Sequence, residues 1–380
     1  MKIVHVLTRF LRAGSEENTV ATALWQARQG HDVTIIHGND FDEYWPNCIQ
    51  DKVSVVLEPK LVHPISPILD IAASIKLANH FRKINPDIIH THQSKAGLIG
   101  RIAARKLPAA VIHGLHIVNF EGVSETRRRL YIRLERLASN WTDGYIAVSA
   151  AVAEAHSRAG IAGLDRIEVI YSGMNLERFQ NANPPSDLVD KLERDVKGRK
   201  IVLLLAAFEP RKRQLGLIEE IGRRKADTSH LYFLLAGDGS TRRECESRSK
   251  ELGLDDKVCF LGFREDAESL IVVSDVGLIT SRQEGLPRVA VQYLAGGRPV
   301  VSPDLLGIEE VLNDGKNSLI SASSISSLVD SLILLTRQRS RLDHLTAGAR
   351  ATDVSRWSEE ALGRRTTEYY REIISKKDKS

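Results

Sequence analysis

The stretch KIVHVL at residues 2–7 and the stretch DVTIIH at residues 32–37 decide the fold class. Both are short apolar runs, as expected of strands that are buried on both faces of a sheet. Between them, residues 15–29 form a longer amphipathic segment, which predicts a helix. A strand, a helix and a second strand in this order predict two parallel strands joined by a crossover.

The same alternation continues along the chain and restarts after the turn-rich residues 181–186. We therefore predict an α/β protein of two doubly wound domains, residues 1–182 and 183–355, facing each other across a cleft. A tail helix in residues 356–380 packs back on the first domain. Such sheets bind ligands at the carboxyl ends of their strands. The further predicted strands are residues 88–91, 110–113, 144–148, 167–171, 201–206, 231–236, 258–261, 276–280 and 299–301, and the further helices of the first domain are residues 66–84, 97–106 and 124–140.

Bulk composition excludes several classes of protein. A chain of 380 residues exceeds what one core usually serves, and 42% apolar with 27% charged residues is ordinary for a globular protein. The opening apolar run is too short for a signal peptide, and no run is long enough to span a bilayer. Cys48, Cys245 and Cys259 are scattered and form no metal or disulfide pattern, so we expect a cytoplasmic protein. A net charge of +4 does not indicate a nucleic-acid partner.

The first strand-to-helix loop contains Gly14 and Ser15. Small residues at this position let backbone N–H groups approach a phosphate, and the helix dipole adds attraction. A simple tight turn is the alternative interpretation. Because the full GxGxxG pattern is missing, we expect neither a nicotinamide nor a flavin cofactor here.

The segment TSRQEGLPRVAVQ at residues 280–292 carries the most chemical information. Glu284 follows an apolar strand, and Pro287 is well placed at the start of a helix. A carboxylate at this position accepts hydrogen bonds from sugar hydroxyls, while the N–H groups of the helix hold phosphate oxygens. Gln292 lies about two helical turns further on and could bond a ribose diol. The alternative interpretation is a helix-capping Glu284 and a solvated Gln292.

This segment resembles the nucleotide-sugar motif of the family 4 retaining glycosyltransferases, which have the GT-B fold of two Rossmann-like domains. That family has two glutamates separated by seven residues. This chain has Glu284 at the position of the first glutamate and Gln292 at the position of the second. Ordered matches extend over nearly the whole chain. They include GSE at residues 14–16, GHDV at 30–33, PDIIHTH at 86–92, IAVS at 146–149, YSGMN at 171–175, GDG at 237–239, FLG at 260–262, SDV at 274–276 and GRPVV at 297–301.

The resemblance implies a role for each matching residue. Glu284 would contact the transferred sugar, and Gln292, a nearly isosteric replacement of the family's second glutamate, would bind the ribose. The other residues implied in donor binding are Gly14, Ser15, Gly237, Phe263, Gly285, Leu286 and Pro287.

One departure from the family concerns the leaving diphosphate. The family places an arginine, and a lysine five residues later, where this chain has Ala207 and Lys212. The resemblance therefore implies that Lys212 holds the diphosphate, with Arg211 or Arg213 in place of the missing arginine. Loss of one charge-assisted contact could cost several kcal/mol of transition-state stabilisation. A solvated basic turn at Arg211–Arg213 is the alternative interpretation.

In the first domain, the resemblance implies that His116 bonds a sugar hydroxyl or orients the acceptor, with His113 as the competing candidate. His92 and Lys95 are predicted to line the acceptor pocket, although packing at the sheet edge is an alternative for His92. Residues 124–140 form a basic amphipathic helix, which is either a membrane-surface element or an ordinary solvent-facing helix.

The resemblance implies a retaining glycosyltransferase, and we expect it to act without a metal ion, with basic side chains and helix N–H groups holding the diphosphate. We expect no cofactor, a UDP- or GDP-linked sugar as donor, and a glycan or lipid-linked acceptor in lipid-linked oligosaccharide, lipopolysaccharide or surface polysaccharide synthesis. We also expect peripheral contact with the inner membrane surface. The alternatives are a catalytically impaired nucleotide-sugar-binding or scaffold subunit, and a nucleotide-sugar epimerase on the same fold.

Overall fold

The opening apolar run forms a buried strand, and parallel strands continue from it on both sides. The computed structural model describes residues 1–12 and 14–379, so Ala13 of the first loop lies outside the described residues. The sheet of the first unit has the order β3-β2-β1-β4-β5-β6-β7. Its strands are β1 Lys2–Phe10, β2 Asp32–Phe41, β3 Ser54–Leu57, β4 Ile88–Thr91, β5 Ala110–Leu115, β6 Gly144–Ala147 and β7 Ile167–Val169.

Helices fill the connections of this sheet, as the alternation in the sequence predicts. They pack their apolar sides on the sheet, whose central strands β1, β4, β5 and β6 are almost entirely buried, as is typical of parallel sheets covered on both faces. The helices are α1 Gly14–Arg28, α2 Tyr44–Ile49, α3 Pro67–Ile84, α4 Ser94–Ala104, α5 Glu125–Ser139 and α6 Ala150–Arg158.

The second unit, Asn175–Ser355, contains a parallel sheet of order β10-β9-β8-β11-β12-β13. Its strands are β8 Lys200–Leu205, β9 Leu231–Ala236, β10 Val258–Gly262, β11 Val276–Leu278, β12 Val300–Pro303 and β13 Ser318–Ser321. Its helices are α7 Glu177–Gln180, α8 Val189–Val196, α9 Gln214–Arg223, α10 Arg242–Glu251, α11 Ala267–Val273, α12 Arg288–Ala295, α13 Ile325–Arg337 and α14 Arg339–Arg350. Together with the first sheet, this confirms the predicted α/β class with two Rossmann-like units.

The C-terminal segment from Arg356 belongs to the first unit, whose other part is Met1–Met174. It forms helix α15, Glu359–Lys377, which is capped where the Ser358 hydroxyl accepts the Ala361 N–H. The Trp25 indole of α1 donates to Glu360 over 2.6 Å. These contacts attach the end of the chain to the first sheet's helical layer.

Strand β11 is shorter than the predicted residues 276–280, and the reason is chemical. The strand ends at Leu278, although the Ile279 N–H still donates to the Val301 carbonyl oxygen of β12. The carbonyl oxygens of Thr280 and Ser281 accept hydrogen bonds from the Arg213 guanidinium instead. The polar loop thus begins two residues earlier than the apolar pattern indicates. Within the described residues, no helix combines the length and apolar character needed to cross a bilayer.

Candidate active site

Two loops at the carboxyl ends of neighbouring strands form the candidate site of the second unit. Strand β8 leads into residues 206–213 and β11 leads into residues 279–287, and the two strands pair in parallel. The loops are joined where the Arg282 N–H donates to the Arg211 carbonyl oxygen over 2.9 Å. The pair of loops therefore occupies the position at which open α/β sheets bind ligands.

Glu284 lies at the centre of a charged cluster on these loops. Its side chain is 13% exposed and accepts a hydrogen bond from the Lys212 ammonium, while the Arg211 guanidinium lies 3.2 Å from each carboxylate oxygen. Burial opposes ionisation of Glu284, but Lys212 and Arg211 outweigh it and hold its pKa below the ordinary value. The cluster therefore combines an ionised acceptor of hydroxyl hydrogen bonds with two cations that suit phosphate oxygens.

Arg213 holds the two loops together. Its guanidinium donates to the carbonyl oxygens of Thr280 and Ser323 over 2.5 Å and of Ser281 over 3.2 Å. The Thr280 hydroxyl in turn donates to the Lys212 carbonyl oxygen. Of the two arginines that the sequence left open, Arg211 reaches the charged cluster and Arg213 is bound to backbone. The predicted donor contact of Arg213 stays a prediction.

Helix α12 begins directly after the cluster, as the sequence predicts. Gly285, Leu286 and Pro287 are buried, and Pro287 is the residue that precedes the first helical residue. The Ala290 N–H donates to the Pro287 carbonyl oxygen over 3.0 Å, and the partial positive charge at the start of a helix attracts anions. Gln292 is half-buried on this helix, and within the described residues its side chain forms no hydrogen bond. Its predicted ribose contact stays a prediction.

Gly237 and Phe263 follow the strands on the other side of β8. Gly237 has a φ of +142°, and a Cβ there would lie 2.0 Å from the Ala206 carbonyl oxygen, so only glycine fits. Its N–H donates to the Gly262 carbonyl oxygen over 2.7 Å. Phe263 is 54% exposed. The two loops thus approach the end of β8 closely, and the predicted donor contacts of both residues stay predictions.

Ala207 is exposed beside the cluster, where the family has an arginine. Its carbonyl oxygen accepts a hydrogen bond from the Gln214 amide over 2.8 Å. The side chain brings no charge, so the positive charge at this place comes from Arg211 and Lys212.

Gly14 and Ser15 form the first turn of α1 in the first unit. Gly14 is exposed, and the Ser15 hydroxyl donates to the carboxylate of Glu16. Glu16 is buried, and its burial raises the pKa of the carboxyl group. Their predicted phosphate contact stays a prediction.

His116 and His92 lie together after strands β5 and β4. His116 is half-buried, and its Nε2 lies 3.2 Å from His92 Nδ1. His92 is only 2% exposed and uses its other nitrogen on His5 over 3.0 Å. Both ring nitrogens of His92 face other histidines, and its predicted acceptor contact stays a prediction. His113, the competitor of His116, is buried against Thr91.

Lys95 is held by neighbouring groups of the first unit. Its ammonium lies 2.6 Å from the Asp70 carboxylate and donates to the Pro64 carbonyl oxygen. These contacts connect α4 to the start of α3. The predicted acceptor contact would have to use the remaining ammonium hydrogen, and it stays a prediction.

Sequence reasoning missed two residues beside His92. His5 lies in β1 directly opposite His90 of β4, and its Nε2 lies 3.0 Å from the Gln26 side-chain oxygen of α1. Both are buried completely. The sequence gives no signal for them, because one histidine within an apolar strand and one glutamine on a helix are ordinary. Among the described residues, His5, His90 and His92 also form a histidine group close enough to be considered as metal ligands.

Two family patterns match the chain, one after the other along its length. The pattern of the family described as Glycosyltransferase Family 4 matches residues 13–178, and that of Glycosyl transferases group 1 matches residues 189–352. The chain is 26% identical to the Escherichia coli UDP-Gal:alpha-D-GlcNAc-diphosphoundecaprenol alpha-1,3-galactosyltransferase over 88% of each chain. It is 27% identical to the lipopolysaccharide core biosynthesis glycosyltransferase LpsE of Rhizobium meliloti over 47% of this chain and 50% of that protein.

Solved structures share the fold. HepE of Anabaena in complex with UDP and glucose has a TM-score of 0.82 at 21% identity, over 98% of this chain and 100% of that chain. WaaG, a glycosyltransferase involved in lipopolysaccharide biosynthesis, has a TM-score of 0.76 at 16% identity, over 95% of this chain and 98% of that chain.

Proposed function

Because this chain belongs to the family 4 glycosyltransferases with the GT-B fold, we propose that it moves a sugar, with retention and without a metal ion, from a nucleotide-sugar donor to an acceptor hydroxyl. The observation that carries the proposal is the cluster of Glu284, Lys212 and Arg211 beside the start of α12. It unites hydrogen-bond acceptors for a sugar with cations for a diphosphate.

In the proposed reaction, the bond between the anomeric carbon and the diphosphate oxygen breaks as the acceptor oxygen bonds the same face of that carbon. Lys212, Arg211 and the N–H groups of α12 stabilise the charge that develops on the leaving diphosphate. Glu284 holds a hydroxyl of the transferred sugar. The departing phosphate oxygen takes the acceptor proton, so no protein nucleophile is required.

We propose UDP as the nucleotide and a lipid-linked glycan as the acceptor. The Escherichia coli relative is named for UDP-Gal and a diphosphoundecaprenol acceptor, and HepE is in complex with UDP. We assign donor binding to the domain of residues 183–355 and acceptor binding, through His116, to residues 1–182, with residues 356–380 as the helix on the acceptor domain.

Calorimetry in the presence of a chelator tests this function. UDP should bind without a divalent ion and more tightly than GDP or ADP, and a UDP-sugar should transfer to a short polyprenyl-diphosphate sugar with the anomer retained, as read by NMR. In Glu284→Gln, UDP should still bind, but the added affinity for the UDP-sugar should be lost, because this carboxylate serves the sugar. Binding that requires a metal would contradict the proposal. Binding without any turnover would identify an impaired subunit, and epimer formation without acceptor would identify an epimerase.

Arg211 and Arg213 should respond differently to truncation. Arg211→Ala should weaken UDP binding about tenfold, the scale of one charge-assisted contact, and leave the melting temperature near that of the wild type. Arg213→Ala should lower the melting temperature by several degrees, because three backbone carbonyls lose their donor. Calorimetry and differential scanning fluorimetry separate the two effects. The reverse pattern would assign the donor contact to Arg213.

We further propose peripheral contact with the inner face of a membrane through α5. Leu130 and Leu137 of this helix are 54% and 49% exposed, and Arg127 and Arg133 are exposed on it. Vesicles with anionic lipid should therefore sediment the protein, and Arg127→Glu with Arg133→Glu should weaken this binding about tenfold or more, since each basic residue near the surface contributes about 1 kcal/mol. Equal binding to neutral vesicles, or no loss in the double variant, would exclude α5 as the contact.

A further inference from the structure

Three histidines and one glutamine form an unbroken hydrogen-bonded chain inside the first unit. His116 Nε2 lies 3.2 Å from His92 Nδ1, His92 Nε2 lies 3.0 Å from His5 Nδ1, and His5 Nε2 lies 3.0 Å from the Gln26 side-chain oxygen. The ring centroids are 5.4 and 5.3 Å apart, with interplanar angles of 37° and 21°. The distance between two neighbouring ring centroids is longer than the distance between their facing nitrogens by about two ring radii. The facing nitrogens therefore lie on the line that joins the two rings, and neighbouring rings meet end to end.

The glutamine oxygen fixes the direction of every hydrogen bond in this chain. In the structure the oxygen of the Gln26 amide faces His5; an amide oxygen only accepts, so in this orientation of Gln26 His5 carries its proton on Nε2. Its Nδ1 is then an acceptor, which requires the proton of His92 to be on Nε2. His92 Nδ1 is an acceptor by the same reasoning, so His116 carries its proton on Nε2. The Nδ1 of His116 is left as a bare acceptor, and within the described residues it has no hydrogen-bond partner.

Burial keeps the three rings neutral at physiological pH by lowering their pKa values. Burial lowers the pKa of His116 to about 4. Burial also lowers the pKa of His5 to about 4, against a smaller opposing effect of the hydrogen bond to Gln26. The pKa of His92 is lowered well below its usual range by burial and by the neighbouring histidines His90, His5, His116 and His113. Each ring therefore carries one proton, whose position the hydrogen bonds decide.

Gly114 has no side chain and so leaves room for the hydrogen bond between His92 and His116. A Cβ at this residue of β5 would lie 3.0 Å from His116 Nε2, 3.1 Å from His92 Nδ1 and 3.3 Å from His90 Nε2. Any larger residue would press on the hydrogen bond between His116 and His92.

We propose that Gln26, His5 and His92 are positioning residues that hold His116 as the single tautomer with a bare Nδ1, ready to accept a hydrogen bond from a sugar hydroxyl. The hydroxyl ligand rests on the proposed function, whereas the tautomer itself does not. Gln26 thus acts on His116 through two intervening rings. A nitrogen that accepts hydrogen bonds favours a hydroxyl donor over a group that can only accept. The hydrogen-bonded chain would therefore select ligands that present a hydroxyl to His116.

A metal centre is the competing use of His5, His90 and His92. A tetrahedral zinc ion holds two ligand nitrogens about 3.3 Å apart, and both lone pairs must point at the ion rather than at each other. The nitrogens of His5 and His92 lie 3.0 Å apart, the separation of a direct hydrogen bond. The geometry therefore favours the hydrogen-bonded chain.

The test is the tautomer of His116, read from imidazole ¹⁵N shifts and long-range ¹H–¹⁵N correlations of the full-length protein without substrate, with His116→Gln for assignment. We expect a proton on Nε2 only. Gln26→Met has a similar volume but no acceptor, and it should populate both tautomers of His116, whereas Gln26→Glu should preserve the wild-type tautomer. A proton on His116 Nδ1 in the wild type, or an unchanged tautomer in Gln26→Met, would overturn the proposal. So would stoichiometric zinc that survives chelator and is lost in His5→Asn.

Turnover gives a second, separate readout. Gln26→Met should lower kcat about tenfold, the scale of one lost hydrogen bond, with little change in the KM of the donor, and Gln26→Glu should restore kcat. If the wild type transfers no sugar at all, the proposed function fails. The tautomer of His116 then still shows whether the hydrogen-bonded chain from Gln26 to His116 exists. If Gln26→Met shows both tautomers of His116 but has the kcat of the wild type, the tautomer of His116 does not affect the reaction.

Discussion

Lys212→Met is expected to lower kcat about 10²–10³-fold, the effect of removing one preorganised group that stabilises developing charge. The Lys212 side chain is 15% exposed, and its ammonium is held against Glu284 by a hydrogen bond. It therefore lies in a poorly solvated position, where a charge interacts strongly with a leaving diphosphate. Methionine keeps most of the apolar stem but removes the charge. Single-turnover and steady-state transfer of sugar from the donor, measured in chelator, give the result.

Lys200→Met is the matched control, because it makes the same substitution at the opposite end of β8. Lys200 pairs with Asp275 over 2.8 Å and is 42% exposed, so its loss should leave kcat unchanged. In Lys212→Met, the pKa of Glu284 should also rise, because burial would then be opposed mainly by Arg211. A kcat within about threefold of the wild type would show that Lys212 does not serve the leaving group.

The sequence predicted those parts of the fold in which the apolar pattern alone determines where a strand begins and ends. Strand β9 lies at its predicted residues because residues 231–236 are a continuous apolar run between polar breaks. Strands β3 and β13 were not predicted. Each lies at the end of its sheet and contains serine, as in Ser54 and Ser318, so its sequence lacks the continuous run of a central strand.

The candidate site was predictable where position along the chain determines position in space. Glu284 and Lys212 each follow a strand, and neighbouring parallel strands bring their carboxyl ends together. Arg211 and Arg213 could not be distinguished in this way. The backbone of Arg213 has a φ of +57°, which turns the chain between them, and only the folded loops decide which guanidinium reaches Glu284.

The hydrogen-bonded chain from Gln26 to His116 could not be predicted from the sequence, for a related reason. It depends on the register that places His5 opposite His90, and on which of two nitrogens each ring directs inward. Apolar periodicity determines which face of a strand is buried, but it does not determine which polar atoms meet there.

Tyr293→Phe is expected to lower the free energy of unfolding of the second unit by about 2–4 kcal/mol. The hydroxyl of this buried residue of α12 donates to the Leu203 carbonyl oxygen over 2.8 Å and accepts the Leu205 N–H over 3.1 Å. Both partners belong to β8, so the phenol continues the ladder of β8 at the place where the short strand β11 ends. Phenylalanine would leave two buried backbone groups without a partner, each costing about 1–3 kcal/mol.

Tyr145→Phe is the control for this prediction, since the Tyr145 ring is also buried but its hydroxyl has no hydrogen-bond partner among the described residues. Its loss should be neutral or slightly stabilising. Urea unfolding, followed by circular dichroism and by tryptophan fluorescence, measures both variants. Because Tyr293 joins α12 to β8, and these elements carry the loops of Glu284 and Lys212, Tyr293→Phe should also weaken UDP binding, whereas Tyr145→Phe should not. Equal stability of the two variants would show that water replaces the phenol at β8, and that the two loops are aligned by their own hydrogen bonds alone.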